Sequence, residues 1–141
     1  MSRRIRAFSL IEILIALAII ALIASLVVPV VNQRRDKAAY QVSVLNLYEV
    51  AKAMEKHYLE TGNYPVFNTW DDVVAQESPL REYLNDLPQT DGFGRPYRVE
   101  TSTDKEYKFE GFSIEGRLKN QFPDYAYETD LKKTTAGAGQ Q

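Results

Sequence analysis

Glu12 is the residue of this chain whose setting most needs a chemical reason. Nineteen residues without a charge, Ile13 to Val31, follow it directly. A carboxylate placed within an apolar membrane helix costs about 2.5–3.5 kcal/mol at the helix centre unless something pairs with it. Two readings stay open at this point. Glu12 serves as an ion-pairing or hydrogen-bonding group in a low-dielectric setting, or it rests at a membrane interface and serves nothing. Nothing else in the sequence has the makings of a catalytic centre. There is no cysteine, hence no thiol nucleophile, thiolate metal site or disulfide. His57 is the single histidine and lies beside a helical apolar stripe. The pairs Asp71-Asp72 and Glu60/Asp86 read as helix caps and solvated surface rather than a hydrolase dyad. No glycine-rich phosphate loop, nucleophile elbow or Ser/His/Asp arrangement stands out, so an enzyme is not expected. The carboxylates Glu115, Asp124 and Asp130 stand at a spacing that matches no calcium loop.

The elements that would position Glu12 come next. A short basic leader, with Arg3, Arg4 and Arg6, precedes it. At about 1.5 Å per residue the apolar run spans roughly 29 Å as a helix, about the hydrocarbon thickness of a bilayer. A secretory signal cut near Ala24 and Ser25 would share the basic leader, but the apolar run continues past Ser25 to Val31. An uncleaved signal anchor would tolerate Glu12 at the interface. Arg34, Arg35 and Lys37 balance the three leader arginines, so charge alone does not orient the segment, and a long polar domain translocates regardless. Pro29 predicts a kink or a loosened turn. The formal net charge is −2, which does not suit a nucleic-acid binder.

Beyond the apolar run the same helix is expected to continue from Asn32 to Thr61. Tyr40, Val44, Leu47, Ala51, Met54 and Tyr58 recur at helical spacing, widened by Tyr48 and Val50, with Glu49, Lys52 and Lys56 on the remainder. Gly62, Asn63 and Pro65 supply the stop. Thr69 ahead of Asp71 and Asp72 predicts a capped short helix. Ser78 to Leu84 predicts another helical turn, and Asp91-Gly92 with Gly94-Arg95-Pro96 predicts turns. Alternation predicts strands over Tyr97 to Thr101 and Glu106 to Ile114, forming a hairpin, with a third strand within Phe122 to Leu131 through Tyr125 and Tyr127. The expected fold is therefore α+β: a long N-terminal helix, apolar then amphipathic, packed on a small antiparallel sheet. Its expected divisions are a leader at 1–7, an anchoring helix half at 8–31, a globular domain at 32–133 and a disordered tail at 134–141.

Ala7-Phe8-Ser9-Leu10-Ile11-Glu12 followed by this apolar run resembles the type IV prepilin family, comprising type IV pilins and the pseudopilins of type II secretion. Gly62-Asn63-Tyr64-Pro65 is similar to the family's helix-to-loop junction. Leu87-Pro88-Gln89-Thr90-Asp91-Gly92-Phe93-Gly94-Arg95-Pro96-Tyr97 looks like a stretch of the major pseudopilin. The resemblance implies cleavage by a prepilin peptidase between Ala7 and Phe8 and N-methylation of Phe8. It implies that Glu12 meets the amino terminus of a neighbour's Phe8, and that Pro29 marks where the helix unwinds on leaving the bilayer. The implied partners are other copies of the chain in a homopolymer filament, minor subunits of the same family, the peptidase and an inner-membrane assembly platform. The implied location is the bacterial inner membrane, single-pass with a periplasmic domain, and then the filament. Ala7 departs from the family's usual glycine, so slower processing is expected. The major pseudopilin's final loop usually carries acidic residues that hold calcium; Ser113-Ile114-Glu115-Gly116 echoes its start, which makes Glu115 and Asp124 the implied calcium candidates, with Asp130 a further source of oxygens, but Arg117 and Lys119 put cations where carboxylates would help. The alternatives are a type IV pilin for motility, adhesion or DNA uptake, and a membrane-anchored binding module that does not polymerise.

Overall fold

A computed structural model of the chain describes residues 7–135. The expectations for the leader before Ala7 and for residues 136–141 lie outside the described residues. The chain divides at Arg35/Asp36 into two units. Helix α1, Leu10–Thr61, runs through both and contains Pro29.

In the first unit every residue from Ala7 to Arg35 is exposed. The apolar side chains cover all sides of the helix, so no polar face exists to turn toward water. This part of α1 is long and apolar enough to cross a membrane, and none of it is buried within the chain.

The second unit is built on the remainder of α1. Tyr40, Ser43, Leu47, Val50, Ala51, Ala53 and Met54 are its buried residues and form one face. Of the expected stripe, Val44 is half-buried, while Tyr58 is 39% exposed and stacks on Tyr64 with ring centroids 4.5 Å apart. The helix ends as its sequence predicts. Gly62 takes φ +82, which glycine adopts without steric cost, and its N–H donates to the Tyr58 carbonyl at 2.8 Å. Helix α2, Trp70–Val74, opens on a reciprocal cap: Asp72 N–H donates to Thr69 Oγ1, and Thr69 N–H donates to Asp72 Oδ2 at 2.9 Å. These bonds to its charged form hold the Asp72 carboxyl below its ordinary value. A 3-10 turn follows at Pro79–Glu82.

Four antiparallel strands complete the unit in the order β1 (Arg98–Ser102), β2 (Tyr107–Gly111), β3 (Tyr125–Glu128), β4 (Lys132–Thr135). Val99 lies opposite Phe109, Phe109 opposite Tyr127, and Tyr127 opposite Lys133. Along β2 the alternation puts Tyr107, Phe109 and Gly111 on the buried side. They meet α1 in a core of Leu47, Val50, Met54, Tyr107, Phe109 and Tyr125, extended by Trp70, Val73 and Leu80.

The structure corrects several expected boundaries: α1 begins at Leu10 rather than Phe8, and the third strand is Tyr125–Glu128 rather than Phe122 to Leu131, since the chain turns through a 3-10 segment at Thr129–Leu131. Tyr97 is not the first residue of β1 but closes the preceding turn, its hydroxyl donating to the Ser43 carbonyl on α1 at 2.8 Å. β2 ends at Gly111 rather than Ile114, because the Phe112 and Ser113 carbonyls turn away to the Arg95 guanidinium. The expected disorder from Thr134 gives way to strand through Thr135. The outer edge of β3 offers a hydrogen-bonding ladder, and Lys132 to Thr135 take it.

Candidate assembly site

Ser9 and Glu12 form a reciprocal cap at the head of α1. The Ser9 amide donates to Glu12 Oε2 at 3.0 Å, and the Glu12 amide donates to Ser9 Oγ at 3.3 Å. Two of the four N–H groups that an α-helix leaves without partners at its start are thereby satisfied. The carboxylate also sits at the positive end of the helix dipole. Ala7 and Phe8 precede the helix, and the Phe8 side chain is 81% exposed. The structure thus brings Glu12 to Ser9 and leaves the Ala7–Phe8 peptide bond outside the helix. Ser9 and Glu12 carry the Ser-x-x-Glu spacing of a capping box in the sequence itself. Pro29 is an exposed residue inside α1.

In the second unit two polar anchors tie the chain to the buried face of α1. The first is the Asp91–Tyr97 turn. Gly92 N–H donates to Ser43 Oγ at 2.7 Å, and Ser43 Oγ donates to the Ala39 carbonyl at 2.6 Å. A Cβ on Gly92 would stand 2.6 Å from the Ala39 oxygen, so only glycine permits this approach. The second is Glu55, which sequence reasoning passed over. Its carboxylate accepts from Tyr64 and Tyr107 hydroxyls, each at 2.9 Å, and from the Asp130 amide at 2.8 Å. Burial, then the Glu55 charge, pushes the Tyr107 hydroxyl above its ordinary value. The Asp130 contact secures two successive left-handed residues, Asp130 (φ 64) and Leu131 (φ 57), which lead into β4. His57 bonds locally, to the Asn63 carbonyl at 2.9 Å and to Thr61. Asp71 and Asp72 lie in the first turn of α2.

The calcium candidates do not fit a calcium centre. Asp124 Oδ1 accepts the Ser113 amide at 2.6 Å. Glu115 lines a separate groove of about 320 Å³ with Asp36, Phe93 and Arg95, a cation among its walls. Asp130 lines a different hollow, beside Thr101 and Glu106. Among the described residues no three His, Asp or Glu side chains converge as a metal site. Calcium takes six to eight oxygens, and the Phe112 and Ser113 carbonyls are already committed to Arg95.

A helix head capped by a carboxylate, with an uncharged apolar run behind it and a small helix-on-sheet unit further along the chain, defines the class, and sequence comparison agrees. The family profile described as "Prokaryotic N-terminal methylation motif" matches residues 2–28. Type II secretion system core protein G of Escherichia coli (strain K12) is 35% identical over 101 residues, 65% of this chain and 69% of that one. The Aeromonas hydrophila protein of the same name is 27% identical over 106 residues, 69% of this chain and 73% of that one. Type IV major pilin protein PilE1 of Neisseria gonorrhoeae is 24% identical over 116 residues, 82% of this chain and 64% of that one. The chain belongs to the type IV pilin-like family of the type II secretion core protein G pseudopilins.

Proposed function

We propose that this chain is the structural subunit of a type II secretion pseudopilus-like fibre, cleaved between Ala7 and Phe8 and N-methylated on Phe8. The observation that carries the reading is the head of α1. A Ser9-anchored carboxylate stands beside an exposed, non-helical Phe8, ahead of an apolar surface that the chain itself leaves uncovered. Before cleavage the Phe8 nitrogen is a neutral amide. Hydrolysis of the Ala7–Phe8 bond turns it into an amine that is largely protonated at neutral pH, and a methylated amine keeps that charge. A carboxylate has acceptor sites on both oxygens, so Glu12 can keep its Ser9 bond and still receive a neighbour's ammonium. Cleavage thereby creates the group that lets one subunit's head pair with the next.

On this reading the partners are other copies of the chain, minor subunits of the family, the prepilin peptidase and an inner-membrane assembly platform. The apolar half of α1 anchors the subunit in the inner membrane with the second unit in the periplasm. Pro29 is where the helix loosens on extraction, and the role is structural rather than enzymatic. Two measurements test this. The mature chain should have lost Met1 to Ala7 and gained one methyl group by mass; an intact leader, or a cut near Ser25, overturns the reading. Glu12→Ala should be processed yet fail to form fibres, and normal fibres from it would remove the pairing role. The similarity to the Neisseria gonorrhoeae pilin over 82% of this chain favours a second reading, a surface pilin. The neighbouring genes, secretion-channel or twitching, separate the two.

A further inference from the structure

The loop joining β2 to β3 begins and ends on the same piece of polar chemistry. The Asp91 side chain is 1% exposed. Its Oδ1 accepts the Phe93 and Arg95 amides, both at 2.9 Å, and its Oδ2 accepts Arg95 Nε at 2.8 Å and Nη2 at 2.8 Å. The same guanidinium reaches across to the chain leaving β2. Nη1 donates to the Ser113 carbonyl at 3.0 Å, and Nη2 to the Phe112 carbonyl at 3.3 Å. The Phe93 and Phe112 rings lie 5.0 and 5.5 Å from its centre, within cation–π range. The far end of the loop returns to the same place. Asp124 accepts the Ser113 amide, and the Ile114 amide donates to the Phe122 carbonyl at 3.1 Å.

One buried carboxylate and two main-chain carbonyls therefore converge on one positive group. That is the donor type a hard metal cation recruits, used here for a planar guanidinium. We propose that Arg95 is the built-in cation of the Phe112–Asp124 loop, and that the loop is held closed without any divalent metal. A guanidinium stays charged throughout the working pH range and cannot be removed by dilution or a chelator. The loop's order then travels with the chain rather than with the ionic content of its surroundings. This inference does not depend on polymerisation.

The test uses the mature full-length chain in detergent, with amide hydrogen exchange at Ser113 and Ile114 read alongside the unfolding temperature. In the unaltered protein both readouts should be the same in EDTA and in millimolar calcium chloride, since a ligand stabilises only what it binds. Arg95→Ala should lower Tm by about 5–10 °C and speed exchange at both amides about tenfold or more. Arg95→Lys keeps a charge for Asp91 but loses the fork. It should stay folded, with β2 amides still protected, and speed exchange at Ser113 and Ile114 alone. A rise in Tm or in loop protection on adding calcium to the unaltered protein overturns the proposal. So does Arg95→Lys with loop exchange unchanged.

Discussion

Residues 10–35 and 36–61 belong to one helix, and their apolar side chains meet opposite fates. In the first stretch Ile19 is 52% and Leu26 is 68% exposed; in the second Leu47 is fully buried, as are Val50, Ala51 and Met54. Secondary structure is the same, so helix propensity does not separate them. Pattern does. Glu49, Lys52 and Lys56 leave the second stretch one continuous apolar face that the sheet covers, with Val42, Leu45 and Leu59 outside it. The first stretch carries no charge from Ile13 to Val31. Full burial of one such aliphatic side chain is worth about 1.5–3 kcal/mol. The second stretch realises that gain within the chain. The first can realise it only in lipid or against other molecules.

Four measurements break or sharpen this contrast. The largest effect is expected from alkali, and it should come wholly from the second unit, because no tyrosine precedes Tyr40. Burial raises the Tyr64, Tyr97, Tyr107 and Tyr125 hydroxyls above 10.0, and the Glu60 carboxylate, through its hydrogen bond, raises Tyr83 to about 12. The folded chain keeps protons that the unfolded chain releases. The stabilisation is complete below pH 10 and falls as pH rises through the folded values, by up to about 1.4 kcal/mol per pH unit for each of Tyr107 and Tyr125. Thermal melts and phenolate absorbance above pH 10 should show a steep loss of Tm that coincides with ionisation. Leu47→Ala, at a fully buried site, should cost about 3 kcal/mol in chemical denaturation. Gly92→Ala should cost about 1–3 kcal/mol by the same assay, since its methyl group meets the Ala39 carbonyl on α1. The smallest effect is the sharpest contrast. Ile19→Ala should leave the unfolding of the second unit within about 0.5 kcal/mol of the unaltered chain. An Ile19 effect as large as that of Leu47 would end the distinction.

What could be read from residue order was what local chemistry decides. The α1 stripe, the Gly62 stop, the Thr69 cap and the β1–β2 hairpin each depend on residues a few positions apart. The Ser9/Glu12 cap is equally local, its signal being the Ser-x-x-Glu spacing. Glu55 is different. Its partners stand 9, 52 and 75 residues away, and Glu-x-x-x-x-x-x-x-x-Tyr has no meaning until the chain has folded. β4 is different again. Lys-Lys-Thr-Thr carries no alternation of apolar and polar residues, and its strand form comes from the ladder beside it. The Arg95 contacts to Phe112 and Ser113, 17 and 18 residues away, belong with these long-range features.

β4 carries one more consequence. As an outer strand it presents backbone groups that another chain's strand could extend, the usual route to unwanted aggregation. Lys132 and Lys133 are consecutive, so they place a cation on each side of that strand, and Glu128 engages Lys132 at 3.0 Å. Edge-to-edge stacking of sheets is thereby discouraged by repulsion between like charges. Strand addition at this edge would have to bring like charges together.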